Sequence, residues 1–134
     1  MTARFADTWF FLALLDEHDQ HHRRVADYAG SSADLIVTTR WVLAETANGL
    51  AASHHRAAVA EFLQSMENDP NVKLINESDA LYRRGLELFA GRSDKEWSLT
   101  DCISFVVMKD EELREALTGD HHFAQAGFVP VFAS

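Results

Sequence analysis

The stretch Ala3-Arg4-Phe5-Ala6-Asp7-Thr8-Trp9-Phe10-Phe11-Leu12 decides the fold. Ala3–Ala6 has the length of a short buried strand, and the run that resumes over Thr8–Asp16 has the length of a helix. Between them stands an acid. Taken alone, Asp7 reads as the cap of the helix that follows. It also falls at the C-terminal end of a strand, where open α/β sheets place their ligands.

Outward from this stretch the same pattern repeats. Breaks at Gly30-Ser31-Ser32, Asp69-Pro70-Asn71, Gly91-Arg92-Ser93-Asp94, Gly119 and Gly127 divide the chain. Further strands are predicted over Leu35–Thr38, Val72–Ile75, Ala116–Thr118 and Val129–Phe132. Helices are predicted over Gln20–Ala29, Trp41–Ala52, His54–Met66, Ala80–Phe89 and Leu99–Lys109, with a short turn around His121–Ala126. In the helix over Trp41–Ala52, Leu43, Ala47, Leu50 and Ala51 form one apolar stripe. Leu81, Leu88 and Phe89 do the same in the helix over Ala80–Phe89. Strands alternating with helices imply parallel pairing. The expectation is one α/β domain over residues 1–134. It has three layers, with a central, mainly parallel sheet of about five short strands flanked by helices.

Composition narrows the function. Twelve Lys and Arg stand against 21 Asp and Glu, a net charge of −9. Such a chain repels nucleic acid at long range. That argues against a passive nucleic-acid binder and leaves room for an enzyme that holds phosphate through divalent cations, or for a basic partner. Cys102 is the only cysteine, so no intrachain disulfide forms. Arg4 and Asp7 interrupt the N-terminus as a signal sequence. The runs Trp9–Leu15 and Ile103–Met108 are too short to span a bilayer. A soluble, cytoplasmic protein without membrane association is expected.

Four acids are candidates for chemistry. Glu45 lies mid-helix with Trp41 and Gly49 four residues to either side and Asn48 one turn on. A carboxylate beside a buried face needs a partner or a metal, or reaches past the core into water. Asp101 stands in Ser98-Leu99-Thr100-Asp101, a loose capping box, ahead of the almost wholly apolar Cys102–Met108. Asp120 follows a strand candidate and precedes His121-His122-Phe123, where it reads equally as a cap. Convergence of all four would disfavour their simultaneous ionisation unless cations are held there. Oxygen-only ligands suit Mg²⁺ or Mn²⁺, and such ions support hydrolysis of a phosphodiester by water.

These residues carry a family resemblance. Phe5-Ala6-Asp7-Thr8 resembles the opening strand and first acid of PIN domains, and Ala44-Glu45-Thr46 their second acid. Trp97-Ser98-Leu99-Thr100-Asp101-Cys102 and the run Leu117-Thr118-Gly119-Asp120-His121-His122-Phe123 through Phe128 resemble a VapC-type subset, with the third and fourth acids. The intervals between the acids are 38, 56 and 19 residues, and the likeness spans nearly the whole chain. The resemblance implies a central parallel sheet flanked by helices, Mg²⁺ or Mn²⁺ at the acids, and cleavage of RNA. It also implies a toxin silenced by a cognate antitoxin, as a homodimer or a toxin–antitoxin hetero-oligomer. Thr8 and Thr100 would match hydroxyls that orient carboxylates or water. One departure is Trp9, which stands where a small hydroxyl residue often follows Asp-Thr.

On this reading Asp7 and Asp101 are the main direct metal ligands, with Glu45 and Asp120 acting through water. Thr8, Thr100 and Asn48 support them. Arg40, Arg56, Arg92 and Lys95 are candidate RNA contacts, or ordinary solvated charges. The antitoxin would insert an Arg or Lys beside Asp7 and Asp101 and pack apolar residues around Trp9, Phe10 and Trp41. His18, His21 and His22 share zinc-compatible spacing but read first as a polar surface. One of His121 and His122 would approach phosphate, or both face solvent. Cys102 reads as a small core residue. A second class of function is a non-catalytic PIN-like module that binds RNA or protein, its acids serving only as caps. A third is a phosphotransfer enzyme, but Asp7-Thr8-Trp9 lacks the second acid it would need.

Overall fold

The computed structural model describes residues 2–52 and 54–133. The elements run β1 (Ala3–Ala6), α1 (Thr8–Leu15), α2 (His22–Ser31), β2 (Leu35–Thr39), α3 (Arg40–Gly49) and α4 (Arg56–Ser65). They continue β3 (Val72–Ile75), α5 (Asp79–Gly91), α6 (Leu99–Asp110), β4 (Glu115–Leu117), α7 (His121–Gln125) and β5 (Val129–Pro130). The strands form one sheet in the order β3-β2-β1-β4-β5, and every pairing is parallel. Helices flank the sheet in the expected three-layer arrangement.

The strand order creates a crevice at one edge of the sheet. From β1 the chain moves outward to β2 and β3, then returns to place β4 on the other side of β1. The connections beyond β1 and β4 therefore diverge, which leaves a gap at the C-terminal edge between those two strands. Phe5 and Ala6 of β1, with Ala116 and Leu117 of β4, are fully buried at this junction. Hydroxyls absorb polar demand nearby. Thr38 donates to the Ala6 carbonyl (2.8 Å), and the Thr39 side chain accepts from the Val42 amide to cap α3.

Helix α6 forms the centre of the core. Every residue from Asp101 to Met108 is buried. Helix α5 packs directly on it because Gly85 has no side chain: a Cβ there would collide with Ile103. The stripe expected on α5 is accordingly shifted. Leu81, Gly85 and Leu88 face inward, whereas Phe89 is exposed. The stripe on α3 also differs from expectation. Val42, Leu43 and Thr46 are the buried positions, and Ala47, Leu50 and Ala51 line a shallow gap toward α4. Thr46 joins the core by donating to the Val42 carbonyl (2.8 Å), a bond that apolar periodicity does not register.

Strand β5 is shorter than the predicted Val129–Phe132, although backbone bonds continue past it. Val131 donates to Ala116 (2.9 Å) and Phe132 to Thr118 (3.0 Å). Phe132 then stacks on Trp9 and Phe10, and its carbonyl accepts from Arg24 (2.8 Å). No helix among the described residues is long and apolar enough to cross a membrane.

Candidate metal centre

Asp7 leaves β1 directly into the crevice. It occupies the N-cap position of α1, but its side chain makes no capping bond. Its Oδ2 instead accepts from the Thr118 hydroxyl at the end of β4 (2.9 Å). Only 3% of Asp7 is exposed. Burial pushes its carboxyl up to about 7, and the nearby Asp101 and Asp120 add to the rise.

Asp101 enters from the first turn of α6. The Ser98 side chain accepts from the Asp101 amide (3.0 Å), and Asp101 Oδ2 accepts from the Ser98 amide (3.2 Å). The capping box read from the sequence is therefore formed, and it fixes the carboxylate at the buried head of the helix. Burial and the neighbouring Asp120 hold Asp101 above the usual carboxylate range, against the Ser98 amide and His122, which lower it.

Asp120 caps α7 by accepting from the His122 amide (2.9 Å). Its own amide donates to Thr118 Oγ1 (3.0 Å). One buried hydroxyl thus links the first and fourth acids. The His122 ring lies between the third and fourth, with Nδ1 at 3.1 Å from Asp101 Oδ2 and 3.4 Å from Asp120 Oδ1. Trp9 packs against Gly119, where a Cβ would come within 2.6 Å of the indole.

The other candidate residues stand differently. Glu45 is half-buried on α3, a helix in contact with both α1 and α6. Among the described residues it has no hydrogen bond or ion pair. Thr8 Oγ1 is buried without a hydrogen-bond partner, directly after Asp7. Thr100 is half-buried and Asn48 exposed. Arg40 is held by Glu67 (2.7 Å) and Asn76 (3.0 Å). Arg92 pairs with Asp94 (3.0 Å) over the Trp97 ring, with Lys95 at 3.9 Å from the same carboxylate. Arg56 donates to the Ala51 carbonyl (2.6 Å).

His22 bonds the Ala13 carbonyl (2.8 Å) and His21 packs on Trp9. Those two and His18 do not gather as a ligand set among the described residues. Cys102 is a core residue whose thiol burial pushes up to about 11. Phe10 belongs to the core, while Trp9 and Trp41 are half-buried beside it.

Sequence reasoning missed Thr118 and undervalued His122. The signal for Thr118 was a hydroxyl at the end of a buried strand, two residues before an acid. Solvent exposure holds for His121, whose side chain is 75% exposed, but not for His122 at 18%.

The donor set fits a divalent cation. Mutually repelling carboxylates are held together at low exposure, and Thr8 brings a buried hydroxyl with no partner. Removing charge from water in this way is costly without compensation.

Comparison with known proteins gives the family. The chain is 30% identical over 128 residues to the 23S rRNA-specific endonuclease VapC20 of Mycobacterium tuberculosis, covering 95% of this chain and 96% of that one. The crystal structure of Mycobacterium tuberculosis VapC20, described as a Sarcin-Ricin loop cleaving toxin, superposes with a TM-score of 0.87. There the identity is 25%, and 97% of this chain and 98% of the other are covered. VapBC2 from Rickettsia felis, bound to a DNA fragment from its promoter, shares the fold with a TM-score of 0.65 at 14% identity, over 96% of both chains. The PIN-domain family model matches residues 4–129, and the chain belongs to the PIN-domain family.

Proposed function

We propose that this chain is a divalent-metal-dependent endoribonuclease that acts as the toxin of a toxin–antitoxin pair. The observation that carries the reading is the enforced proximity of buried acids, with Asp7 raised to about 7 by burial and by Asp101. Asp7 and Asp101 would hold Mg²⁺ or Mn²⁺, with Glu45 and Asp120 completing the set through water. A cation so held polarises a phosphoryl oxygen and makes water nucleophilic near neutral pH. Thr118 fixes Asp7 and positions the Asp120 turn. Ser98 and the head of α6 fix Asp101. Thr8, Thr100 and Asn48 are proposed to support the acids. Arg40, Arg92 and Lys95 would contact RNA by exchanging their present carboxylate partners for phosphate.

Similarity to VapC20 makes a loop of ribosomal RNA the first substrate to examine. The antitoxin would place a basic side chain between Asp7 and Asp101, where a guanidinium bridges two carboxylates. Its apolar residues have a seat in the cleft of about 280 Å³ lined by Phe10, Tyr28 and Phe62. Exposed Tyr82, Leu86 and Phe89 on α5 offer apolar surface for a homodimer or a toxin–antitoxin hetero-oligomer in the cytoplasm.

A non-catalytic binding module has one observation in its favour, since Asp101 and Asp120 do form caps. One experiment separates the readings. Purified chain is incubated with total RNA, with and without Mn²⁺, and new ends are sequenced. Wild type should cut only with the ion, and Asp101→Asn, which keeps a capping acceptor, should not cut. Equal cleavage by Asp101→Asn, or none by wild type, would overturn the catalytic reading.

A further inference from the structure

The oxygen ligands above do not account for the two imidazoles beside them. Nδ1 of His121 lies 3.6 Å from Asp120 Oδ1, and Nδ1 of His122 lies 3.4 Å from the same oxygen and 3.1 Å from Asp101 Oδ2. The ligand atoms of Asp120, His121 and His122 all fall within 4.8 Å of one another. A tetrahedral ion with arms of about 2.0–2.1 Å has edges of about 3.3 Å between its ligands. The two separations from Asp120 lie close to that edge.

We infer that Asp120, His121 and His122 form a nitrogen-containing cation position that selects Mn²⁺, Co²⁺ or Zn²⁺ over Mg²⁺, adjoining the Asp7–Asp101 position. The inference deepens the proposed nuclease reading, since His122 of this set also contacts Asp101 (3.1 Å). Imidazole nitrogen suits the later transition ions, whereas Mg²⁺ keeps to oxygen and water.

Local structure supports the assignment. The two histidines are consecutive at the start of α7, with ring centroids 4.5 Å apart. The capping bond from the His122 amide to Asp120 holds the carboxylate beside both rings. The set is graded in exposure, with His122 at 18%, Asp120 at 30% and His121 at 75% of the side chain. The ion would therefore sit at the rim of the crevice with its outer side open to solvent or to a phosphate oxygen. Hydrogen bonds alone would explain one short separation. They do not call for a second imidazole at 3.6 Å, and the Nδ1 proton of His122 cannot serve two carboxylates fully.

Two readouts independent of catalysis test this. Metal-free protein is titrated with Co²⁺ while visible absorption is followed, since a tetrahedral ion absorbs far more strongly than an octahedral one. Thermal stabilisation by Co²⁺ and by Mg²⁺ is measured in parallel. Wild type should show the tetrahedral spectrum and should keep Co²⁺ against roughly a hundredfold excess of Mg²⁺. His122→Ala and His121→Ala should each reduce the preference for Co²⁺ over Mg²⁺ by about tenfold or more. His122→Gln, which keeps a polar side chain of similar length, should also lose the spectrum. Circular dichroism of the metal-free variants establishes that they fold, and should His122→Ala fail to do so, the exposed His121→Ala decides alone. An octahedral spectrum in wild type, or unchanged selectivity in the folded variants, overturns the inference. The nuclease reading fails separately, through absence of RNA cleavage in Mn²⁺ while the Co²⁺ spectrum is intact.

Discussion

Asp7 is a carboxyl group kept almost out of water, and burial raises its affinity for a proton. Its folded value of about 7 lies above the ordinary 3.8, so between those values the folded chain holds a proton that the unfolded chain releases. Its contribution to the stability of the metal-free protein is therefore greatest at the acid end of this window and falls as pH rises through it. The slope approaches about 1.4 kcal/mol per pH unit for this one group. Asp101 shifts in the same direction and adds to the effect. Denaturant midpoints measured in a chelator across this window should show the decline, and a rise instead would contradict the burial of Asp7. Asp7→Asn removes the charge and keeps an acceptor for the Thr118 hydroxyl. It should stabilise the metal-free chain by roughly 1–3 kcal/mol at about pH 8 and flatten the pH dependence. RNA cleavage should fall by roughly two orders of magnitude or more.

At the level of elements, the site depends on how α1 meets the turn after β4. Trp9 fills the space over Gly119, and Phe132 and His21 pack on the indole. Gly119→Ala would drive a methyl group into the ring, at a cost of about 1–3 kcal/mol by overpacking. The near-ultraviolet signal of tryptophan should change, and RNA cleavage should drop with it. Combining Gly119→Ala with Trp9→Leu should return part of the stability; a purely additive double variant would mean the two residues do not share that space. The family pattern at Asp7-Thr8 marked Trp9 as a departure but could not supply its role, because the partner glycine is 110 residues away. Element order, by contrast, was legible throughout, since acids and glycines punctuate apolar runs of distinct length. Two helix faces were misread for a common reason. Thr46 and Gly85 point inward, one satisfied by its own helix and the other empty to admit Ile103. Neither scores as apolar, so periodicity passed over both. Asp7, Asp101 and Asp120 were legible as acids at strand and helix ends, yet the Thr118 hydroxyl and His122 imidazole that contact them were not. Their roles follow from contacts between α6, α7 and the strand ends, which local sequence does not encode.

For the whole molecule, charge governs approach. A net charge of −9 opposes RNA at long range and favours a basic partner. Capture of a basic antitoxin segment should therefore weaken steeply as salt rises. RNA retention should be negligible in chelator at low salt and appear on addition of Mn²⁺. Filter binding of labelled RNA distinguishes these regimes, and tight ion-independent retention would show that local cations override the global field. Arg40, Arg92 and Lys95 are each engaged by a carboxylate, which is consistent with weak binding before an ion arrives.

The bond between Thr118 and Asp7 spans 111 residues of chain, and this has a consequence during synthesis. At about 5–20 residues per second, roughly 6 to 22 seconds separate translation of the first acid from that of the hydroxyl that holds it. Until β4 has been made, β1 has no neighbour on that side and the crevice has only one wall. A growing chain therefore carries Asp7, and later Glu45 and Asp101, before the strand that walls this crevice exists. Pairing of Asp7 with Thr118 therefore waits on the synthesis of β4.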